Sequence, residues 1–194
     1  MSMDGPGRST GTAQGRHGHP DVSVTESPGS NPMDLGRWKK LAEQVLLAEG
    51  VEHMEVSVSF VDEATIAELA REHLGSDGSA TDVLSFPIDD PAAEPEDPAV
   101  PQLLGDVVVC PQIAERQAPT HAGSVDDELA LLIVHGLLHL LGMDHEGERD
   151  TKAMQARERE LLARFHGPVA GDPWQVTEPT TGHNGKCGFG DRAR

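Results

Sequence analysis

The sequence predicts an α+β domain in which a buried helix crosses a mixed sheet of about four strands. Four short segments have the alternating or continuously apolar pattern of strands, and they begin at Val22, Met54, Val83 and Leu104. Longer stretches between them carry apolar residues three or four positions apart, as in helices that pack on a core. The most apolar of these is the stretch 129–141. Strands and helices mixed in this order are typical of α+β domains.

The first half of the chain alternates strands and helices. Residues 22–25 alternate between apolar and polar side chains, and residues 54–61 repeat that pattern, so each predicts a strand with one face in solvent. Asp34 is placed to cap the helix between these strands, because a carboxylate accepts hydrogen bonds from the first free N–H groups. Asp62 or Glu63 begins the next, shorter helix.

The second half begins with a short buried strand at 83–86 and an acidic, proline-rich loop at 89–101. Residues 104–110 are so continuously apolar that both faces of this strand are expected to be covered. Pro111 then begins a helical turn, since proline suits the first position of a helix. After the apolar stretch, residues 146–165 predict a charged amphipathic helix.

The buried helix carries two histidines on one side. Ser124 begins it as a capping residue, and His135 and His139 lie four residues apart, so their imidazoles lie one above the other. Gly142 ends it, because glycine adopts the left-handed conformation without steric cost. The turn there brings His145 over the pair, which predicts a site of three histidines with an open fourth position.

Three neutral imidazoles and a water are the ligands expected of catalytic zinc. A single histidine on an apolar helix is more often a core residue with a satisfied ring. Three at this spacing favour a shared ion instead, because burying them without a common partner costs free energy. We therefore expect one Zn²⁺ per chain, on His135, His139 and His145.

The spacing of these histidines also matches the metzincin peptidases, whose pattern is H-E-x-x-H-x-x-G-x-x-H. The glutamate of that pattern is the general base of peptide hydrolysis, and Gly136 takes its position here. A metallopeptidase is therefore the less favoured hydrolase. Because glutamate has the better helix propensity, Gly136→Glu is expected to keep the fold and impair function.

The stretch from His135 to His145, His-Gly-Leu-Leu-His-Leu-Leu-Gly-Met-Asp-His, resembles the signature of the YbeY endoribonuclease family. The segments 81–87 and 104–109 resemble that family as well, and the likeness runs from about residue 21 to 165. The resemblance implies a zincin-like arrangement, zinc on the three histidines, and a single-strand-directed endoribonuclease. It also implies action on ribosomal RNA, in maturation of the 3′ end of small-subunit rRNA and in ribosome quality control, with the ribosome or a ribosomal protein as partner.

Three further residues are candidates for catalysis. Asp106 interrupts an uncharged strand, and is either an acceptor for a histidine N–H, a general base, or an acceptor in a turn at the strand's end. Ser85 is placed to bond a substrate or ligand. The resembled family commonly has an arginine where this chain has Leu74, and Arg71, one helical turn away, is the candidate substitute.

The formal net charge of −18 argues against generic capture of nucleic acid, because lysine and arginine contacts to phosphate dominate non-specific affinity. RNA is therefore expected to be gripped locally or delivered by a partner, and no DNA is expected as substrate. A third possibility is a ribosome-assembly factor whose metal is structural.

One domain is expected at 20–166, between a disordered leader at 1–19 and a disordered tail at 167–194, both poor in apolar residues. No stretch is apolar enough for a signal peptide or a membrane span. Cys110 and Cys187 give no framework of disulfides. We therefore expect a soluble protein of the cytoplasm.

Overall fold

The computed structural model describes residues 19–27, 33–75, 80–93, 97, 100–143 and 147–174. Within these residues one sheet contains four strands: β1 (Asp21–Glu26), β2 (Met54–Phe60), β3 (Val83–Pro87) and β4 (Gln102–Val109). The helices are α1 (Leu35–Ala48), α2 (Glu63–Leu74), α3 (Pro111–Gln117), α4 (Val125–Leu140) and α5 (Glu148–Phe165), with one 3-10 turn (Ala118–Thr120) after α3. The predicted α+β class is confirmed.

The sheet is mixed, with the strand order β1-β2-β4-β3. The pairs β1–β2 and β2–β4 are parallel, and the edge strand β3 is antiparallel to β4. Ser85 lies opposite Val107 and Phe86 lies opposite Asp106. Because successive residues of a strand point to opposite faces, these two pairs lie on different faces of the sheet.

Helices cover the two faces unequally. The larger core contains Val58, Val107 and the apolar residues of α1, α4 and α5, and we call this side the α4 face. The smaller core joins Ile66 of α2 to Leu84 and Val108, and we call that side the α2 face. Helix α4 packs against β3, β4, α1 and α5, so it lies at the centre of the larger core.

The predicted capping residues at the N-termini of α1, α2 and α4 are confirmed. Asp34 accepts a hydrogen bond from the Arg37 N–H (3.1 Å), and Asp62 accepts one from the Thr65 N–H (2.8 Å). Ser124 begins α4 in the same way, through the Asp127 N–H (3.1 Å). These side chains satisfy N–H groups that the first helical turn leaves without partners.

The segment 167–174 contacts the domain that was predicted to end at residue 166. The Gly171 N–H donates to the Ala122 carbonyl (2.7 Å), and the Trp174 indole N–H donates to Glu158 Oε2 (2.7 Å). Val169 and Trp174 also pack against the larger core. Composition alone suggested a disordered segment, because backbone hydrogen bonds and one aromatic contact leave no periodic signal in the sequence.

Some predictions fall outside the part of the chain that the structure describes. They concern residues 1–18 of the leader, residues 175–194 of the tail, and His145. Among the described helices, none is long and apolar enough to cross a membrane.

Candidate functional site

His135 and His139 meet on one side of α4, as their spacing predicted. Their ring centroids are 4.5 Å apart and their Nε2 atoms are 3.0 Å apart. His139 is buried, whereas His135 is half-buried and reaches a pocket. Both rings therefore present the same nitrogen to a common point beside the helix.

Glu158 on α5 holds the ring of His135. Its Oε1 lies 2.7 Å from His135 Nδ1, and its Oε2 accepts the indole N–H of Trp174. Glu158 is only 4% exposed. A neutral His135 that donates from Nδ1 has its lone pair on Nε2, so this carboxylate selects the tautomer that can bind a cation.

Sequence reasoning missed Glu158, although a signal was present. The inner face of α5 is formed by Met154, Leu161 and Leu162, which are buried. Glu158 is four residues after Met154, so it shares that face. An acid among buried apolar residues is expected to have a partner, and His135 is that partner.

The histidine pair fits a zinc ion in chemistry and spacing. Two nitrogens that are each about 2.0 Å from one tetrahedral ion lie roughly 3.3 Å from each other, close to the separation of the two Nε2 atoms. In the described ranges, no cluster of three or more His, Cys, Asp or Glu side chains could hold a metal. His145, the third predicted ligand, lies outside those ranges.

Gly136 lies where α4 packs directly against β3 and β4. A Cβ at this position would lie 2.6 Å from Val107 Cγ1 and 3.1 Å from Ser85 Oγ. The expectation that Gly136→Glu keeps the fold is therefore wrong, because any side chain there would collide with β4. The position also faces the sheet, which leaves no room for the general base of a metzincin.

Ser85 fixes β3 to α4 beside the histidines. Its hydroxyl donates to the Gly136 carbonyl at 3.2 Å, one residue along the helix from His135. Ser85 therefore holds the edge strand in register with the histidine pair. At the start of the same strand, Asp82 accepts from the Val83 N–H (2.9 Å).

Asp106 lies on the opposite face of the sheet from the histidine pair. Asp106 is opposite Phe86 in the register, and Phe86 packs against the smaller core, so its carboxylate is on the α2 face. Arg71 is an exposed residue of α2. Of the three roles considered for Asp106, that of acceptor for His135 is taken by Glu158, whose Oε1 lies 2.7 Å from His135 Nδ1. The next residue of the strand, Val107, is the one that faces α4.

A second acid–histidine pair lies nearby. His121 Nδ1 is 2.8 and 2.9 Å from the two oxygens of Glu128, which is fully buried and also accepts the Ala122 N–H (3.1 Å). The hydrogen bond with Glu128 raises the pKa of His121, although burial acts in the opposite direction. Its partner is seven residues away, in the first turn of α4.

His121, His135 and Glu158 line one open pocket of about 240 Å³, with Asp82 and Trp174 among its other walls. We call it the His135 pocket. It is bounded by α4, α5 and the segment 167–174. Both acid–histidine pairs therefore lie at one cavity on the α4 face.

A family model and curated relatives agree on one family. The family model described as Endoribonuclease YbeY matches residues 24–166. A protein named Endoribonuclease YbeY from Pelotomaculum thermopropionicum is 46% identical over 151 residues, which are 75% of this chain and 97% of that protein. One of the same name from Salinispora tropica is 46% identical over 154 residues, which are 74% of this chain and 95% of that protein. A solution structure from Thermotoga maritima covers 79% of this chain and 99% of its own, with 24% identity and a TM-score of 0.49.

Proposed function

The chain belongs to the Endoribonuclease YbeY family, and we propose that it is a zinc-dependent endoribonuclease that cuts single-stranded ribosomal RNA. The proposal includes maturation of the 3′ end of small-subunit rRNA, a part in ribosome quality control, and the ribosome or a ribosomal protein as partner. The observation that supports it most is the pair of Nε2 atoms 3.0 Å apart, one of them on a ring held by a buried carboxylate.

Zinc bound there would act as a Lewis acid on a phosphodiester and lower the pKa of a water or hydroxyl group. His135 and His139 would hold the ion, with His145 as the predicted third ligand. Glu158 keeps the proton of His135 on Nδ1, so that the lone pair of Nε2 remains available to bind the ion. Ser85 maintains the position of β3 along the site through the Gly136 carbonyl.

Peptide hydrolysis has less support. The metzincin mechanism needs a carboxylate one residue after the first histidine. Here that position is Gly136, against Val107 and Ser85. The described site therefore lacks the space for that base, whereas a phosphodiester reaction can use the 2′-hydroxyl of RNA as an internal nucleophile.

The test is a parallel assay of the purified, zinc-loaded chain on single-stranded RNA, on a duplex of the same sequence, and on a peptide library. We expect cleavage of the single strand, loss of cleavage after chelation, and recovery when zinc is returned. A single deoxynucleotide at the cut site identifies the nucleophile, because it stops cleavage only if the 2′-hydroxyl attacks. Cleavage of peptides, or tight RNA binding without cleavage, would contradict the proposal.

A further inference from the structure

The His135 pocket is larger than the histidine pair requires. Its cavity of about 240 Å³ extends from His135 along α4 and α5 to Trp174. Because His135 is on its wall, a strand held at the histidine pair has part of its length in or beside this cavity. The chemistry of the walls decides which part of a nucleotide enters.

Much of the wall is apolar. Leu131 and Leu132 of α4 line it together with Met154 of α5 and Trp174. The indole of Trp174 is fixed in place by its hydrogen bond to Glu158 (2.7 Å) and by the Arg159 guanidinium 4.6 Å from its ring centroid. A fixed aromatic ring on an apolar wall is how proteins stack unpaired nucleobases.

The charges on the wall disfavour a phosphate. Asp82 and Glu158 both line the pocket. His121 could supply a positive charge, but Glu128 lies against it at 2.8 Å and balances that charge. Like charges repel by several kcal/mol at about 4 Å near a protein surface. The backbone phosphates are therefore expected at the histidine end, and an uncharged base in the pocket.

Asp82 supplies hydrogen-bond acceptors at the wall of this pocket. Its Oδ1 already accepts from the Val83 N–H (2.9 Å) and the Thr81 hydroxyl (3.2 Å). An ionised carboxylate has about four acceptor positions and no donor, so its remaining capacity suits a donor on the ligand. Cytosine presents an amino group where uracil presents a carbonyl oxygen, and the two rings are otherwise alike in shape.

We propose that the His135 pocket binds one unpaired nucleobase of the RNA strand, with Trp174 as its stacking surface and Asp82 as the acceptor for an exocyclic amino group. This inference rests on the proposed RNA-cleaving function and adds a base preference to it. A base bound in this pocket would allow an acidic protein to bind RNA locally without relying on phosphate contacts.

The experiment measures binding of short 2′-O-methyl oligonucleotides to the zinc-loaded full chain, with mass spectrometry to confirm that they remain intact. Two oligonucleotides differ only in one cytosine replaced by uracil. Tryptophan fluorescence reports the pocket, because the chain has two tryptophans and Trp38 is 3% exposed in the core. We expect quenching by the cytosine ligand and a Kd roughly tenfold weaker for the uracil ligand.

Three variants assign the effect to residues, with Kd measured by anisotropy of labelled oligonucleotides. Trp174→Ala is expected to weaken binding about tenfold and Trp174→Phe much less, since phenylalanine keeps a stacking surface. Asp82→Asn keeps an acceptor for the Val83 N–H and is expected to bring the cytosine-to-uracil ratio close to one. Asp90→Asn, the same charge change on an exposed turn, is the matched control and is expected to leave the ratio unchanged. Melting curves confirm that each variant is folded.

Equal Kd values for cytosine and uracil in the wild-type chain would overturn the inference, as would an unchanged ratio in Asp82→Asn. Failure of the pocket assignment and failure of the proposed nuclease activity give different results. If the chain cuts RNA without quenching or base preference, the pocket assignment fails and the nuclease stands. If it binds the cytosine ligand selectively but cuts no RNA, the nuclease proposal fails and the pocket assignment stands.

Discussion

The two faces of the sheet differ in what they bring together. On the α4 face, His135 and His139 meet at 3.0 Å, and Glu158 from another helix completes the arrangement. On the α2 face, Asp106 lies opposite Phe86, whose ring is 5.1 Å from that of His73. Both faces carry ionisable groups. Among the groups just named, only those on the α4 face include a buried carboxylate that contacts a histidine. Polar residues in a strand therefore say little about a site until their face is known.

At Gly136 the α4 face has no room for a side chain. We predict that Gly136→Glu loses about 3–5 kcal/mol of stability or fails to fold, because a carboxylate would be buried without a partner against Val107. Chemical denaturation measures this loss. Val125→Glu, in the exposed first turn of the same helix, is the control and should remain folded. A stable Gly136→Glu protein would mean that α4 can move away from β4.

The next largest effect is expected at the histidines themselves. His139→Ala should weaken zinc binding by at least about 100-fold, since losing a ligand costs more than losing a supporting hydrogen bond. Competition with a chromophoric chelator measures the Kd. His73→Ala, on the α2 face, is the matched control and should bind zinc as the wild type does. Equal zinc affinity in both variants would show that the metal does not bind at the α4 face.

Removing the support of His135 should have a smaller effect. Glu158→Gln leaves a side chain of the same size but a weaker acceptor for the His135 N–H, and we expect zinc affinity to fall about tenfold to 100-fold. The same chelator competition tests it. An unchanged Kd would show that the tautomer of His135 is set without this carboxylate.

Asp106→Asn is expected to have the smallest effect. Its carboxylate is half-buried on the α2 face, so zinc affinity should change less than about twofold and stability by roughly 0.5 kcal/mol or less. Chelator competition measures the zinc affinity, and chemical denaturation measures the stability. A tenfold loss of zinc affinity in this variant would place Asp106 in the metal site and contradict the assignment of the two faces.

Local sequence signals were sufficient for most of the framework. Asp34 and Ser124 were identified as caps from their type and position, and Asp62 was one of two candidates; the structure has each of them in that role. His135 and His139 were paired from a spacing of four, which α-helical geometry converts into contact. Such features depend on residues a few positions apart, so the sequence contains all the information they need.

Other features required the tertiary structure. Glu158 lies 23 residues after His135 and meets it only because α5 packs on α4. Gly136 was interpreted as a missing base, whereas its neighbours Val107 and Ser85 come from two strands. Residues 167–174 were expected to be disordered, yet Trp174 reaches Glu158.

The order of the elements, their ends and the pairing of two histidines follow from the sequence alone, because they depend on short-range geometry. Tertiary packing sets the face on which Asp106 lies, the carboxylate that supports His135, and the wall that Trp174 forms. These contacts join residues distant in sequence, so they depend on how the helices pack against the sheet.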